Sequence, residues 1–139
     1  MIRRVVALFA SGLLLGACGS VSASTAMVDW VSQSGYAATA KAVLVDAKNA
    51  AQDLRDPSTS IAELHTVCGV LLYEDSQANA SLPTPDDQAS QLLASAYGEL
   101  GAGANQCYRG QRVRALASLA KGVALLSEAG ARITAASLP

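Results

Sequence analysis

The feature that most constrains the fold of this chain is a set of long apolar stripes with helical spacing. Between Tyr36 and Arg55, small or apolar residues recur at alternating intervals of four and three, which places them on one face of a helix. These residues are Tyr36, Ala40, Val43, Ala47, Ala50 and Leu54. None of the later segments alternates with the period of two that is typical of a half-buried strand. Three of them have comparable stripes, at Ile61, Leu64, Cys68 and Leu71, at Ala89, Leu93, Ala96, Leu100 and Cys107, and at Leu116, Leu119, Val123, Leu126, Gly130 and Ile133. The sequence therefore predicts an all-α fold.

Capping and breaking residues separate the first two long helices. Asp56-Pro57 ends the first, because the residue before a proline avoids helical backbone angles. Ser60 and Glu63 then form a capping-box sequence in front of the apolar run of the second helix. The loop that follows this helix is expected at about residues 79–83, where Asn79 and Pro83 are typical turn residues.

The third and fourth long helices have start and stop signals of their own. Thr84 is predicted to cap the third helix, with Pro85 at its first helical position. Gly110 is predicted to end it with left-handed backbone. The fourth helix is then expected from Arg112 to Ser137.

A shorter helix is expected from Ala26 to Ser32, around Trp30. Four long amphipathic helices with short links favour an antiparallel bundle. The predicted architecture is therefore an antiparallel four-helix bundle with a short extra N-terminal helix, over residues 26–139.

The first 17 residues have the three parts of a secretory signal. Arg3 and Arg4 supply positive charge, an apolar run from Val5 to Leu15 follows, and small residues precede Cys18. The run is shorter than the roughly 20 residues that a membrane-spanning helix needs. An ordinary signal peptide that happens to contain a cysteine is the alternative interpretation.

The sequence Leu15-Gly16-Ala17-Cys18 resembles the lipobox of bacterial lipoproteins. The resemblance implies that Cys18 receives a diacylglycerol bearing fatty acyl chains such as palmitate, and that cleavage makes it the first residue. It also implies a protein anchored by lipid on the extracytoplasmic side of the cell membrane. Residues 18–25 are small and polar and are expected to form a flexible tether. The mature part is similar to small actinobacterial lipoproteins with a helical core and two cysteines, a likeness without a function-specific motif.

The remaining cysteines, Cys68 and Cys107, are expected to form a disulfide in an oxidising compartment. In a straight hairpin, however, Cys68 would lie level with Ser95, on the order of 18 Å from Cys107 along the helix axis. A bend in the glycine-containing part of the helix, a stagger of the helices, or two free thiols would each account for this mismatch.

Charge and composition narrow the function classes. Loss of Arg3 and Arg4 lowers the basic residues from 10 to 8 against 11 acidic ones, so the net charge changes from −1 to −3. Nucleic-acid binding is not expected, because such domains are basic. His65 and Cys68 share a helical face, but two ligands fall short of a zinc site. No metal and no cofactor are predicted, and His65 is expected to be partly buried.

No catalytic constellation is evident. The chain has a single histidine and no G-x-S-x-G sequence, and the adjacent pair Glu74-Asp75 is expected to lie on the solvated side of its helix. The glycines Gly98, Gly101 and Gly103 lack the context of a phosphate-binding loop. They indicate a kink or a close helix contact instead.

Two sequence features are candidates for a binding surface. One is the glycine-containing face, and the other is a cluster of arginines that could contact anionic groups or could be solvated and cap a helix end. Their residues are Gly98, Gly101, Gly103, Arg109, Arg112 and Arg114. The expected function is a non-catalytic module that binds a partner, such as another envelope protein. The alternative is a carrier or sensor that holds a small ligand inside the bundle.

Overall fold

The computed structural model describes residues 22–139, and within that range the regular structure is entirely helical. Cys18 and the predicted signal lie outside the described residues. The five helices pack as a helical bundle. They are α1 (Ala23–Ser34), α2 (Tyr36–Arg55), α3 (Ile61–Asn79), α4 (Asp87–Tyr108) and α5 (Arg112–Ala136).

Local signals set most of the helix ends as predicted. The Ser60 hydroxyl accepts a hydrogen bond from the Glu63 N–H, while the Glu63 carboxylate accepts one from the Ser60 N–H at 2.7 Å. Gly110 has a φ of 71°, just after the end of α4. Gly35 separates α1 from α2. Its φ of 64° is left-handed, which interrupts the helix and carries little penalty for glycine.

Two predicted boundaries differ from the structure. Helix α1 begins at Ala23, capped by the Ser22 hydroxyl, so the last three residues of the predicted flexible tether are helical. Helix α4 is capped by Asp86, whose Oδ1 accepts a hydrogen bond from the Ala89 N–H at 2.7 Å. Thr84 is not the cap; its hydroxyl donates to the Asp86 carbonyl oxygen within the preceding loop, at 2.7 Å.

The core lies mostly where the apolar stripes predict it, although Ile61, at the start of the predicted α3 stripe, is exposed. In α2 the predicted stripe is buried apart from half-buried Tyr36, and in α4 every predicted stripe residue is buried. In α5 the buried face is rotated slightly from the predicted one. It comprises Ala115, Leu119, Gly122, Leu126, Ala129 and Ile133, whereas Leu116 and Val123 are only partly buried.

Trp30 closes one end of the core. Its ring lies 5.5 Å from that of Tyr36, and its indole Nε1–H donates to the Ser81 carbonyl oxygen at 3.2 Å. The N-terminal helix is thereby held both to α2 and to the loop between α3 and α4.

A stagger between α3 and α4 resolves the cysteine mismatch. Cys68 and Cys107 form a disulfide with their Cα atoms 6.0 Å apart, and Asp75 faces Gly101 two helical turns further along. Helix α4 therefore begins about 15 Å beyond the end of α3. The extended loop at residues 80–86 spans this offset, and α4 stays helical through its glycines.

Candidate functional site

An open groove of about 440 Å³ separates α2 from α5. The floor of the groove is apolar and includes Leu116, Leu119 and Val123. Small alanines on both helices leave the space beside these residues. The lining residues are Ala47, Lys48, Ala51, Gln52, Arg55, Leu116, Leu119, Ala120 and Val123.

The rim of this groove is positively charged. Lys48 and Arg55 are both exposed and stand seven residues apart on α2, which corresponds to two helical turns, or about 10.5 Å. Arg55 keeps its guanidinium near the helix by donating to the Ala51 carbonyl oxygen at 3.1 Å. None of the residues that line the groove is acidic. The groove thus combines apolar and cationic character in a chain whose net charge is negative.

A second cleft, of about 350 Å³, lies between α3 and α4 around Asp75. The carboxyl of Asp75 was expected to be solvated, but the residue is only 8% exposed. Its Oδ1 is buried without a hydrogen-bond partner in the described part of the chain. Burial raises the pKa of this carboxyl to about 7.

The wall opposite Asp75 is formed by α4. A Cβ atom at Gly101 would lie 2.9 Å from the Asp75 Oδ2, so the missing side chain makes room for the carboxyl group. Gly98 has open space around it at the edge of the cleft. Tyr97 is buried on the same helix, and burial raises the pKa of its phenol, with a smaller contribution from the Tyr36 and Asp75 charges.

The structure separates the three glycines that were predicted as one surface. Gly103 is buried and faces Leu119, where a Cβ atom would meet the leucine Cδ2 at 2.8 Å. The predicted close helix contact is confirmed at this position. Gly98 and Gly101 instead line the Asp75 cleft.

The three arginines also divide. The half-buried Arg112 guanidinium donates to four carbonyl oxygens at the end of α2 and in the following loop, at 2.6 to 3.1 Å. These acceptors belong to Asp53, Leu54, Asp56 and Thr59. Arg112 therefore makes structural contacts that join the start of α5 to the end of α2 and the loop after it. Arg109 and Arg114 are exposed.

His65 is exposed rather than partly buried. Its ring stacks on that of Tyr108, with centroids 4.2 Å apart and an interplanar angle of 11°.

Residues 22–139 contain no group of three or more histidine, cysteine, aspartate or glutamate side chains that could hold a metal ion. None of the helices described is both long and apolar enough to cross a membrane.

Sequence reasoning missed the groove and the Asp75 cleft, although both left a signal. Asp75 continues the buried stripe of α3, four residues after Leu71 and three before Ala78. Lys48 and Arg55 lie on either side of Ala51 on α2, where a small residue leaves space for the groove.

Comparison of the chain with known proteins found no matching family model, no matching curated protein and no matching solved structure.

Proposed function

We propose that this chain is a lipid-anchored cell-envelope protein whose helical domain binds a partner protein without catalysing a reaction. The observation that carries the proposal is the apolar, positively rimmed groove between α2 and α5. The lipobox-like sequence at Cys18 supports attachment to the extracytoplasmic side of the cell membrane. Acyl chains on that cysteine would hold the domain at the surface where its partner is found.

The groove favours an amphipathic helix as the occupant. Its basic rim extends for about two helical turns, which matches apolar anchors at positions i, i+3 or i+4, and i+7 of a bound helix. Lys48 and Arg55 complement acidic residues that flank those anchors. We therefore propose a partner helix with an apolar face and an acidic border.

The proposal includes a finer description of the bundle. Along α4 and α5, Leu100 faces Gly122 and Gly103 faces Leu119, so the two helices run in opposite directions. The pairs Cys68–Cys107 and Asp75–Gly101 give the same relation for α3 and α4. Arg112, at the start of α5, contacts Leu54, at the end of α2, so α2 and α5 are related in the same way. Together these contacts support an antiparallel four-helix arrangement of α2 to α5, with α1 as the short additional helix.

A small-ligand carrier is the second candidate. It was expected to hold its ligand inside the bundle, and the interior that the structure describes contains large buried side chains such as Met27, Leu64 and Leu93. The Asp75 cleft supports this candidate in a different form, because it combines a buried carboxyl group with space for a small molecule.

Selection of peptides tests the partner-binding proposal. A display library of amphipathic helices, with acidic and basic borders equally represented, is selected on the full chain purified from the cells that make it. We expect enrichment of acid-bordered helices. Binding should weaken about tenfold or more when Ala120→Trp fills the groove or when Lys48→Glu and Arg55→Glu reverse its rim.

Ala131→Trp provides the matched control, because Ala131 is an exposed alanine of α5 that does not line the groove. This variant should bind the selected peptides as the natural chain does. Enrichment of basic-bordered helices, or equal binding to the Ala120→Trp variant, would contradict the proposed site.

The anchor is tested separately by the intact mass of the protein extracted from membranes. We expect a mass that fits cleavage before Cys18 plus acyl chains. A chain that begins elsewhere, or that carries no lipid, would contradict the anchor without affecting the peptide result.

A further inference from the structure

The Asp75 cleft is a site of its own, because it shares no lining residue with the groove between α2 and α5. We infer that the cleft binds the ammonium or guanidinium group of an organic cation, with the Asp75 carboxylate as its acceptor. Neither the partner helix nor the lipid anchor is needed for this inference.

The first argument is the unmet hydrogen-bonding capacity of Asp75. A carboxyl group that is more than nine-tenths buried is ordinarily paired, because burial without a partner costs free energy. Here Oδ1 accepts no hydrogen bond from the described residues, and Oδ2 lies against the backbone of Gly101. The side chain also lines the cleft, so a ligand there would lie beside the carboxyl group and could pair with the enclosed Oδ1 after a small rotation of the side chain.

The second argument is the charge of the surroundings. Asp75 is the only formally charged side chain that lines the cleft, and no lysine or arginine accompanies it. The two ion pairs found in residues 22–139, Lys121–Glu99 and Arg132–Asp86, use other carboxylates. A cationic hydrogen-bond donor is therefore the group that the site lacks, because it would both neutralise and satisfy the carboxylate.

The third argument is shape. A volume of about 350 Å³ lies at the lower end of the range for small-molecule sites. Gly98 and Gly101 remove side chains that would otherwise narrow the cleft, while Ala94 and Ala102 give it an apolar wall. A compact cationic head on a short alkyl body fits this combination.

A metal ion fits the lining less well. Calcium takes six to eight oxygen ligands, and magnesium requires octahedral coordination. Side-chain oxygens in the cleft come from one carboxyl group and from Ser76, Asn79 and Tyr97. An ammonium or guanidinium group needs only one carboxylate to accept its N–H bonds, so it fits these side-chain oxygens better than a metal ion does.

Titration of the full chain with matched probes tests the inference. n-Butylammonium and n-butylguanidinium present the two cationic heads, and n-butanol presents the same body without charge. Binding is followed by NMR at pH 8 through the Asp75 carboxyl carbon and the Gly101 amide. We expect both resonances to shift on addition of at least one of the two cations and to stay unchanged with butanol.

Variants locate the binding. Asp75→Asn removes the charge at constant shape and should weaken binding roughly tenfold or more. Glu74→Gln removes the neighbouring carboxyl group, which does not line the cleft, and should leave binding unchanged. Far-ultraviolet circular dichroism confirms that each variant remains folded.

Two further probes distinguish the sources of such a group. Tighter binding of putrescine than of a capped lysine or arginine peptide indicates a free amine, and the reverse order indicates a side chain of a partner protein. Either order supports the cation site. Absence of binding by all of these probes at millimolar concentration, or binding that survives Asp75→Asn, would overturn it.

Discussion

Leu119 of α5 occupies the space in which a side chain at Gly103 of α4 would stand. The relationship is repeated with the helices exchanged, because a Cβ atom at Gly122 of α5 would lie 2.6 Å from Leu100 Cγ of α4. Each leucine thus inserts against a glycine of the opposite helix. This exchange brings α4 and α5 close together and packs large side chains into a core that otherwise contains many alanines.

Substitution of either glycine by alanine should destabilise the fold. The added methyl group would overlap a leucine side chain and approach backbone at 3.0 Å, so neighbouring groups must move. Overpacking of this kind costs about 1–3 kcal/mol, which exceeds the gain of up to about 1 kcal/mol in helix propensity. Urea denaturation of Gly103→Ala and Gly122→Ala should show the loss.

Gly98→Ala is the control for these variants. Gly98 lies on an exposed part of the same helix with nothing within 4 Å of an added Cβ atom. The variant should gain about 0.5–1 kcal/mol from helix propensity alone. Destabilisation at Gly98 comparable to that at Gly103 would show that the leucine contact is not the cause.

Arg112→Ala should destabilise the link between α2 and α3. The guanidinium satisfies carbonyl oxygens at the end of α2 that have no partner within the helix. Hydrogen bonds to charged groups contribute about 1.5–3 kcal/mol, and we expect a loss of about that size from thermal or urea denaturation. Arg112→Lys should recover only part of it, because an ammonium lacks the planar fork. Arg114→Ala, at an exposed position nearby, should change stability by no more than about 0.5 kcal/mol.

The ion pair between Asp86 and Arg132 should affect stability in acid. The Arg132 hydrogen bond, the Ala89 N–H and the Arg132 charge lower the pKa of the Asp86 carboxyl to about 2. A lowered carboxyl pKa stabilises the folded state above the unfolded value near 3.8, and this stabilisation is lost as the pH falls towards 2. In Arg132→Gln, the pKa of Asp86 measured by carbon-13 NMR should rise towards its ordinary value.

Two substitutions at Asp86 separate the cap from the ion pair. Asparagine caps helices about as well as aspartate, so Asp86→Asn should lose the acid dependence while it keeps most of the cap. Asp86→Ala should lose both, with a further cost of about 1 kcal/mol. Equal stability of the two variants would contradict the capping role.

Joint replacement of Cys68 and Cys107 by alanine should lower the urea midpoint. The cysteines are 39 residues apart in sequence, and a disulfide closing a loop of that length stabilises by up to about 4 kcal/mol in the chain-entropy estimate. The natural chain treated with reductant should move towards the variant, and the variant itself should not respond. An unchanged midpoint in both tests would show that the disulfide does not contribute.

The sequence predicts what depends on residues close together in the chain. The end of α2 at Arg55, the capping box at Ser60 and the left-handed Gly110 each follow from side chains within a few positions. The position of Asp86 as the cap of α4 is less evident, because Thr84 and Asp86 both carry capping side chains and the loop geometry decides between them.

Features that depend on pairs of helices were predicted only in part: the close contact at Gly103 was expected, whereas the stagger of α3 and α4 was one of three alternatives. The stagger of α3 and α4 is set by packing between helices, and no residue within either one specifies it. The same holds for Arg112, whose acceptors lie more than 50 positions earlier in the chain. Asp75 differs, because it lies on the apolar stripe of its own helix and its burial could have been predicted from that spacing.

The burial of Asp75 should make the protein less stable at neutral than at weakly acidic pH. Burial raises the pKa of the folded-state carboxyl to about 7, whereas the ordinary value is 3.8. Between these values the unfolded chain releases a proton that the folded chain retains, so stability falls as the pH rises from about 4 to about 7 and then levels off. Asp75→Asn keeps the shape of the side chain but cannot ionise, and it should remove this fall and raise the urea midpoint at pH 8. Glu74→Gln should retain the fall. If the midpoints of the natural chain and of Asp75→Asn run parallel from pH 4 to pH 8, the carboxyl is not held in its neutral form by the fold.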